Sequence, residues 1–389
     1  MAGKMGLPAS LAGLFLLVQT AAGQVPVGDT VKSDIPLKPI QHLPLRVIPS
    51  KVIHTNKNYN LLVLPVVARS IETSWSFGAA ASLTFHLNKR DSADRTSNLQ
   101  GLGLYSLKKQ TIVALNGTVY FPGERYILSQ QISFSYFPDQ FWGIGNNTPG
   151  SNQESYDFKQ VYVYLHGQRS LGSHLFAGVR YEYQRVLKVD FKPNGLLDKE
   201  AVPGRYGYQV SGLGASFTFD TRNHAFTPDK GEMLQVYASQ FGPLIGSDFS
   251  YINYVVDLRK FWKIYRDQVL AVQAYGFYNS GDVPLRSLAA FGGANSMRGY
   301  YSGRFRDKNQ VFAQAEYRVP VVGRLGLVAF VGAGDVSHRF VDLYLDQLKY
   351  SYGGGVRLML SKTEKLNLRL DYGIGQHSSG FYFQLGEAF

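Results

Sequence analysis

From about residue 60 onward, apolar and polar side chains alternate with a period of two. In Gln160-Val161-Tyr162-Val163-Tyr164-Leu165-His166 the aliphatic Val161, Val163 and Leu165 share one face. In Leu366-Asn367-Leu368-Arg369-Leu370-Asp371-Tyr372 the polar Asn367, Arg369 and Asp371 fall together on the other. Successive side chains of a strand point to opposite faces, so each segment has one face suited to lipid and one suited to water. Candidate strands lie at 61-69, 74-87, 98-107, 111-120, 125-137, 155-168, 174-187, 206-220, 231-242, 249-261, 268-278, 308-319, 325-334, 351-360, 365-373 and 380-389. Many exceed the ~5–6 residues usual in globular proteins and match the ~9–11 that cross a bilayer on a tilt. No stretch between them has a helical period. An even count of about sixteen predicts an all-β fold, a sixteen-stranded antiparallel transmembrane β-barrel. A soluble sandwich or propeller would share the alternation but use shorter strands.

The links have two sizes. Short ones such as Lys108-Lys109-Gln110, Pro122-Gly123-Glu124 and Ser361-Lys362-Thr363-Glu364 suit the periplasmic end, and the longer ones at 138-154, 188-205, 279-307 and 335-350 suit the exterior.

Composition supports the same class. Tyr 26, Phe 25 and Gly 41 are a heavy load of strand-forming aromatics and turn-forming glycine, and no run after residue 23 is apolar enough to span a bilayer as a helix. Lys4, the apolar stretch Leu11–Val18 and the small residues Ala21-Ala22-Gly23 read as a signal peptide over 1-23. Residues 24-59 carry Pro26, Pro36, Pro39, Pro44 and Pro49 and read as a Pro-rich periplasmic linker or plug segment, leaving 60-389 for the barrel. With no cysteine there is no lipoprotein anchor, disulfide or thiolate metal site. The net charge of +12 is spread along the chain without a compact Lys/Arg block. It suits anionic outer-membrane lipid headgroups or anionic solutes better than nucleic acid.

The link between the eleventh and twelfth strands holds Phe291-Gly292-Gly293-Ala294-Asn295-Ser296-Met297-Arg298-Gly299-Tyr300. Its apolar residues can pack and its glycines allow tight turns, so it reads as a folded loop that presents Arg298. Drawn into the barrel, that guanidinium needs a carboxylate. Glu316 shares a face with Gln314 and Arg318 on the next strand, and Asp371 and Asp335 are further options. On periodicity alone, an exposed Arg298 with Glu316 paired to Arg318 is an equal reading. The histidines have no metal-ligand spacing, and no cofactor is expected.

Gly292-Gly293 followed by Met297-Arg298-Gly299-Tyr300 resembles the (V/I)RG(F/Y) loop signature of the BamA/TamA-like outer-membrane assembly superfamily, or bacterial surface antigen family. Asp220, Arg222, Pro228 and Gly231 resemble its strand-end motif, and Ala315-Glu316-Tyr317-Arg318 its glutamate strand. Phe389 resembles the terminal aromatic of its insertion signal. The resemblance implies a loop folded into the lumen with Arg298 meeting Glu316. Three departures stand out. Gly332 occupies the place of a second wall acid, Glu387 sits near the end of the chain, and no periplasmic polypeptide-transport-associated repeats precede the barrel. The expected function is therefore assembly, insertion or translocation of outer-membrane components, with partner proteins supplying the receiving domains or arriving as client barrels. A passive anion-leaning pore or structural barrel is the alternative, and an outer-membrane lipid-modifying enzyme the third reading. Pro65 on the first strand and Gly386 on the last suggest a weak lateral seam, beside an ordinary closed one with a proline at its rim.

Overall fold

The computed structural model describes residues 52–56, 59–70, 74–87, 97–107, 109–224, 227–361 and 366–389. The expected signal peptide and most of the Pro-rich segment lie outside the described residues. Sixteen long strands follow one another: β1 (Tyr59–Ser70), β2 (Ser74–Phe85), β3 (Ser97–Ser106), β4 (Thr111–Tyr120), β5 (Tyr126–Phe141), β6 (Glu154–Gly172), β7 (Leu175–Asp190), β8 (Tyr208–Asp220), β9 (Gly231–Phe241), β10 (Tyr251–Lys263), β11 (Val269–Gly281), β12 (Asn309–Val322), β13 (Leu325–Ser337), β14 (Lys349–Ser361), β15 (Leu366–Gly375) and β16 (Ser378–Leu385). Each pairs antiparallel with the next, as in Glu316 opposite Ala271 across β11 and β12, or Asp371 opposite Gly355 across β14 and β15.

Several strands run a few residues past their expected ends, as Tyr126–Phe141 and Glu154–Gly172 do, and the two ends of the sheet differ more tellingly. Within the segment read as a linker, Val52–Asn56 forms a short strand of the same sheet, antiparallel to the start of β1 with Thr55 opposite Asn60. The last strand ends at Leu385 instead of reaching residue 389, because Gly386 takes φ 83 and turns the chain out of the ladder. Gly386 thus forms a turn directly after β16.

In an antiparallel succession, links after odd-numbered strands lie at one end and those after even-numbered strands at the other. The long links at 142–153, 191–207, 282–308 and 338–348 all follow odd-numbered strands. The link at 107–110 follows β3, so it shares the long-loop end and not the opposite end suggested by its shortness. Parity overrides length here.

The alternation is inverted relative to a soluble protein. Along β10, Asn253, Val255, Asp257 and Phe261 are buried while Tyr254, Val256, Leu258 and Trp262 are exposed. On β13, Val328 and Phe330 are buried between exposed Leu327 and Val331. A sandwich would hide its apolar face. This sheet turns aliphatic and aromatic side chains outward, and buries Gln314, Glu316, Arg357, Arg369 and Asp371 on its inner face. At the long-loop end, Leu197 and Val202 of one link and Val283 and Leu285 of another join Phe141, Tyr156 and Tyr208 in an apolar cluster. The links there form a packed cap.

The two faces can be told apart directly, since the chain has no native cysteine. A fluorophore on Val256→Cys should be quenched by spin-labelled lipid in proteoliposomes, and one on the adjacent Val255→Cys should not. Equal quenching at both would refute the assignment of faces.

Candidate functional site: an arginine between two carboxylates

The link from β11 to β12 is built as a stem and a tip. Its stem is a two-stranded ribbon, Ala289–Phe291 against Phe305–Asp307, with Phe291 opposite Phe305. At the tip, Phe291, Met297, Tyr300 and Phe305 pack with Phe312 and Val336 of the wall. The Phe291 and Tyr300 rings meet edge to face at 5.5 Å. Close approach demands glycine. A Cβ on Gly299, whose φ is 111, would lie 2.4 Å from the backbone nitrogen of Gly375, and one on Gly373 would lie 2.6 Å from the Arg298 carbonyl carbon. Backbone therefore rests directly on backbone along β15, and Tyr382 receives a hydrogen bond from the Gly299 N–H at 2.6 Å.

That seat fixes Arg298. Its Nη1 donates to Asp371 Oδ2 at 2.6 Å and its Nη2 to Glu316 Oε1 at 3.0 Å, while the guanidinium lies 3.5 Å from the centroid of the Phe330 ring. The arginine side chain is 1% exposed and both carboxylates 0%. Arg298 thus meets Glu316 and Asp371 on the inner face of the sheet. Glu316 on β12 and Asp371 on β15 reach it from strands with two others between them. Gly355 makes room: a Cβ there would lie 2.0 Å from Asp371 Oδ1. A charge so deeply buried is tolerable only when paired and hydrogen-bonded on both sides.

Neighbouring arginines extend the pair into a cluster. Arg357 bridges Asp371, Glu316 and Glu387, the last at 2.8 Å. Arg318 lies 3.4 Å from Glu316, and Arg369 lies 3.5 Å from Asp371 while donating to the Ala294 carbonyl and Asn295 Oδ1 of the tip, both at 3.0 Å. Four guanidinium groups thus face three carboxylates.

Asp335 is not a partner of Arg298. It accepts from Lys349 Nζ at 2.5 Å and Asn146 Nδ2 at 2.9 Å, at the long-loop end of β13, one residue out of phase with Phe330 and Gly332. At Gly332, where the resemblance leads one to expect an acid, Met297 fills the space: its Sδ lies 3.0 Å from where a Cβ would be. The second carboxylate comes from β15 instead.

A further anchor escaped the sequence reading. Asp139 on β5 accepts from Arg286, which precedes the stem, and from Arg306 within it, the latter at 2.8 Å. Tyr156 donates to it at 2.9 Å and Tyr301 at 3.3 Å. Burial alone would lower the affinity of the Arg286 guanidinium for its proton, but Tyr156 and Asp139 beside it raise it above the ordinary range. Arg304 donates to the carbonyl of Thr148 at 2.7 Å, tying the loop to the link after β5. The only hint in the sequence was arginines at both ends of the loop, each in need of an acid.

The remaining candidates are placed more simply. Asp220 and Arg222 form a bidentate pair of two 2.8 Å contacts at the end of β8, and Gly231 has φ 98 where a Cβ would strike the Thr221 carbonyl at 2.4 Å. Pro228 lies in the link between them. Pro65 stands opposite Ala79 with its ring exposed. Phe389 lies beyond β16 and is buried, its ring 6.4 Å from that of Phe261 on β10.

Sixteen antiparallel strands, apolar outside and ion-paired within, with a loop arginine seated on the inner wall, define an outer-membrane β-barrel. The chain belongs to the Omp85 superfamily, whose domain matches residues 76–389. Its proteins are β-barrels of the outer membrane of Gram-negative bacteria. The outer membrane protein assembly factor BamA of Nitratidesulfovibrio vulgaris (strain Hildenborough) is 24% identical over 358 residues, covering 84% of this chain and 43% of that protein. The chain therefore spans less than half the length of this relative. Among solved structures, BamA from Haemophilus ducreyi lacking POTRA domains 1-3 superposes with TM-score 0.53 at 14% identity, over 84% of this chain and 69% of that one. CdiB from Acinetobacter baumannii gives 0.53 at 11% identity, over 85% and 60%. At these identities the likeness speaks for the fold.

Removing one partner of a buried pair leaves a stranded charge, at a cost of about 3–5 kcal/mol. Arg298→Ala and Asp371→Asn should each lower unfolding stability by that order in urea titrations of the folded barrel. Their double-mutant cycle should give a coupling of about 1–3 kcal/mol, against near zero for Arg298 with Asp335. Additivity of Arg298→Ala and Asp371→Asn would refute the pairing.

Proposed function

We propose that this barrel takes part in the insertion or translocation of outer-membrane proteins, acting with partner proteins that supply the periplasmic receiving domains, and that it is not an enzyme. The observation that carries this reading is at β1. One edge of β1 pairs with β2, and its start also pairs with Val52–Asn56, a strand from outside the run of sixteen. An edge that accepts an added strand offers main-chain hydrogen bonds to any extended segment, which is how a nascent strand could be received. Pro65 lacks an N–H, which weakens β1 as a ladder, and the ladder of β16 stops at Leu385, before Gly386. Together they support a seam between first and last strands that parts laterally into surrounding outer-membrane lipid. Phe389 as an insertion signal and the Asp220–Arg222 brace at the end of β8 belong to the same reading, the first for entry of this chain into the membrane and the second for keeping the β8–β9 link in shape.

A passive anion pore is the second reading, and the arginine-rich inner wall favours it. Against it, those arginines are largely ion-paired, four of them sharing Glu316, Asp371 and Glu387, and apolar links are packed at one end.

Proteoliposomes containing the chain should speed the folding of a urea-denatured outer-membrane barrel several-fold. An engineered disulfide between β1 and β16 should abolish the gain, and reductant should restore it. Acceleration that persists in the disulfide form would overturn the seam. No acceleration, together with a large steady anion-selective current across planar bilayers, would establish the pore.

A further inference from the structure

The last residues of the chain leave the sheet and enter the barrel. After Gly386, whose N–H still donates to the Asn367 carbonyl at 2.8 Å, the segment Glu387-Ala388-Phe389 crosses the inner face from β15 to β10. Glu387 lies between guanidinium groups: Arg357 Nε is 2.8 Å from its Oε2 and Arg318 Nε 3.7 Å, while Asn367 donates to Oε1 at 2.6 Å. Its side chain is 3% exposed. Phe389 packs with Phe261 and Ala271, its main-chain oxygen accepts from Arg318 Nη2 at 3.1 Å, and the Arg318 guanidinium lies 5.6 Å from the centroid of its ring. Ala388 lines a cavity of about 320 Å³ that runs under the loop tip at Asn295 and Ser296.

A frayed strand end would not look like this. A glutamate is hidden only where cations wait for it, and here both cations are wall residues that also serve the Arg298 cluster. The recess is therefore built by β10, β11, β12 and β14, and the segment fills it.

We propose that this inner-wall recess is a peptide-binding site, specific for a carboxylate followed two residues later by an aromatic ring, and that the chain's own Glu387-Ala388-Phe389 is its resident ligand. Arg318 and Arg357 select the carboxylate. Phe261 and Ala271 select the ring. Because Arg357 also contacts Asp371 and Glu316, the occupied site is wired to the loop arginine. Withdrawing the segment removes one carboxylate from a cluster already short of them, so the remaining acids are drawn toward Arg318 and Arg357 and away from Arg298. The site ties the end of the last strand to the seat of the loop, and it stands whether or not the barrel assembles other proteins.

The test uses the full-length chain in detergent. In the Glu387→Ala/Phe389→Ala variant the recess is vacated, and a fluorescent peptide of residues 384–389 should bind it, read by anisotropy. The unsubstituted chain, whose site is filled, should bind that peptide at least tenfold more weakly. A peptide carrying Gln for the glutamate should lose at least tenfold against the vacated form. Equal binding of both peptides, or no binding by a variant that keeps its folded mobility on unboiled gels, would overturn the proposal. Independently, Ala271→Cys with Ala388→Cys in the full chain should close a disulfide under mild oxidation. Failure to do so in the folded barrel would overturn the placement of the segment.

Discussion

A guanidinium removed from water must find its counter-charge within hydrogen-bonding reach, and much of this structure follows from meeting that demand for Arg298. Two carboxylates on strands β12 and β15 meet it, a phenyl ring on β13 lies across it, and glycine on β14 and β15 clears the approach. Because the partners come from different strands, the contact also fixes the spacing of the wall. Neither half makes sense alone: without the loop the wall would hold crowded charges, and without the wall the loop would bury a bare cation.

The outline of this architecture was legible because strand alternation is a local property. Val161, Val163 and Leu165 on one face, or Asn367, Arg369 and Asp371 on the other, reveal a strand and its two environments within seven residues. Pairings across the sheet are not local. Asp139 and Arg306 are 167 residues apart, and nothing near either residue names the other. Glu316 could be inferred because it shares a face with polar neighbours and matches a known strand pattern, yet periodicity left it undecided between Arg298 and Arg318. The structure gives it both. Asp335 lay within the right strand but out of phase, and phase proved the better guide.

The end of the chain was harder to foresee, for a different physical reason. Alternation continues through Leu385 and by itself predicts a strand that runs on to Phe389. A single positive φ at Gly386 redirected the segment. Glu387, out of place in a membrane-facing strand, becomes intelligible once it turns inward among arginines. At Gly332, where the resemblance implies an acid, the thioether of Met297 takes up the volume, and Arg298 finds its second carboxylate in Asp371.

The fastening of the loop at Asp139 carries a consequence of its own. Arg286 and Arg306 hold its two ends to β5, on the far side of the molecule's sequence from the seat of Arg298. Tip and base are thus secured by separate sets of charges, like a flap bolted at the hinge and hooked at the free edge. Unhooking the edge would leave the stem bolted to β5 at Asp139. The loop therefore has two separate attachments, and the failure of either leaves the other in place.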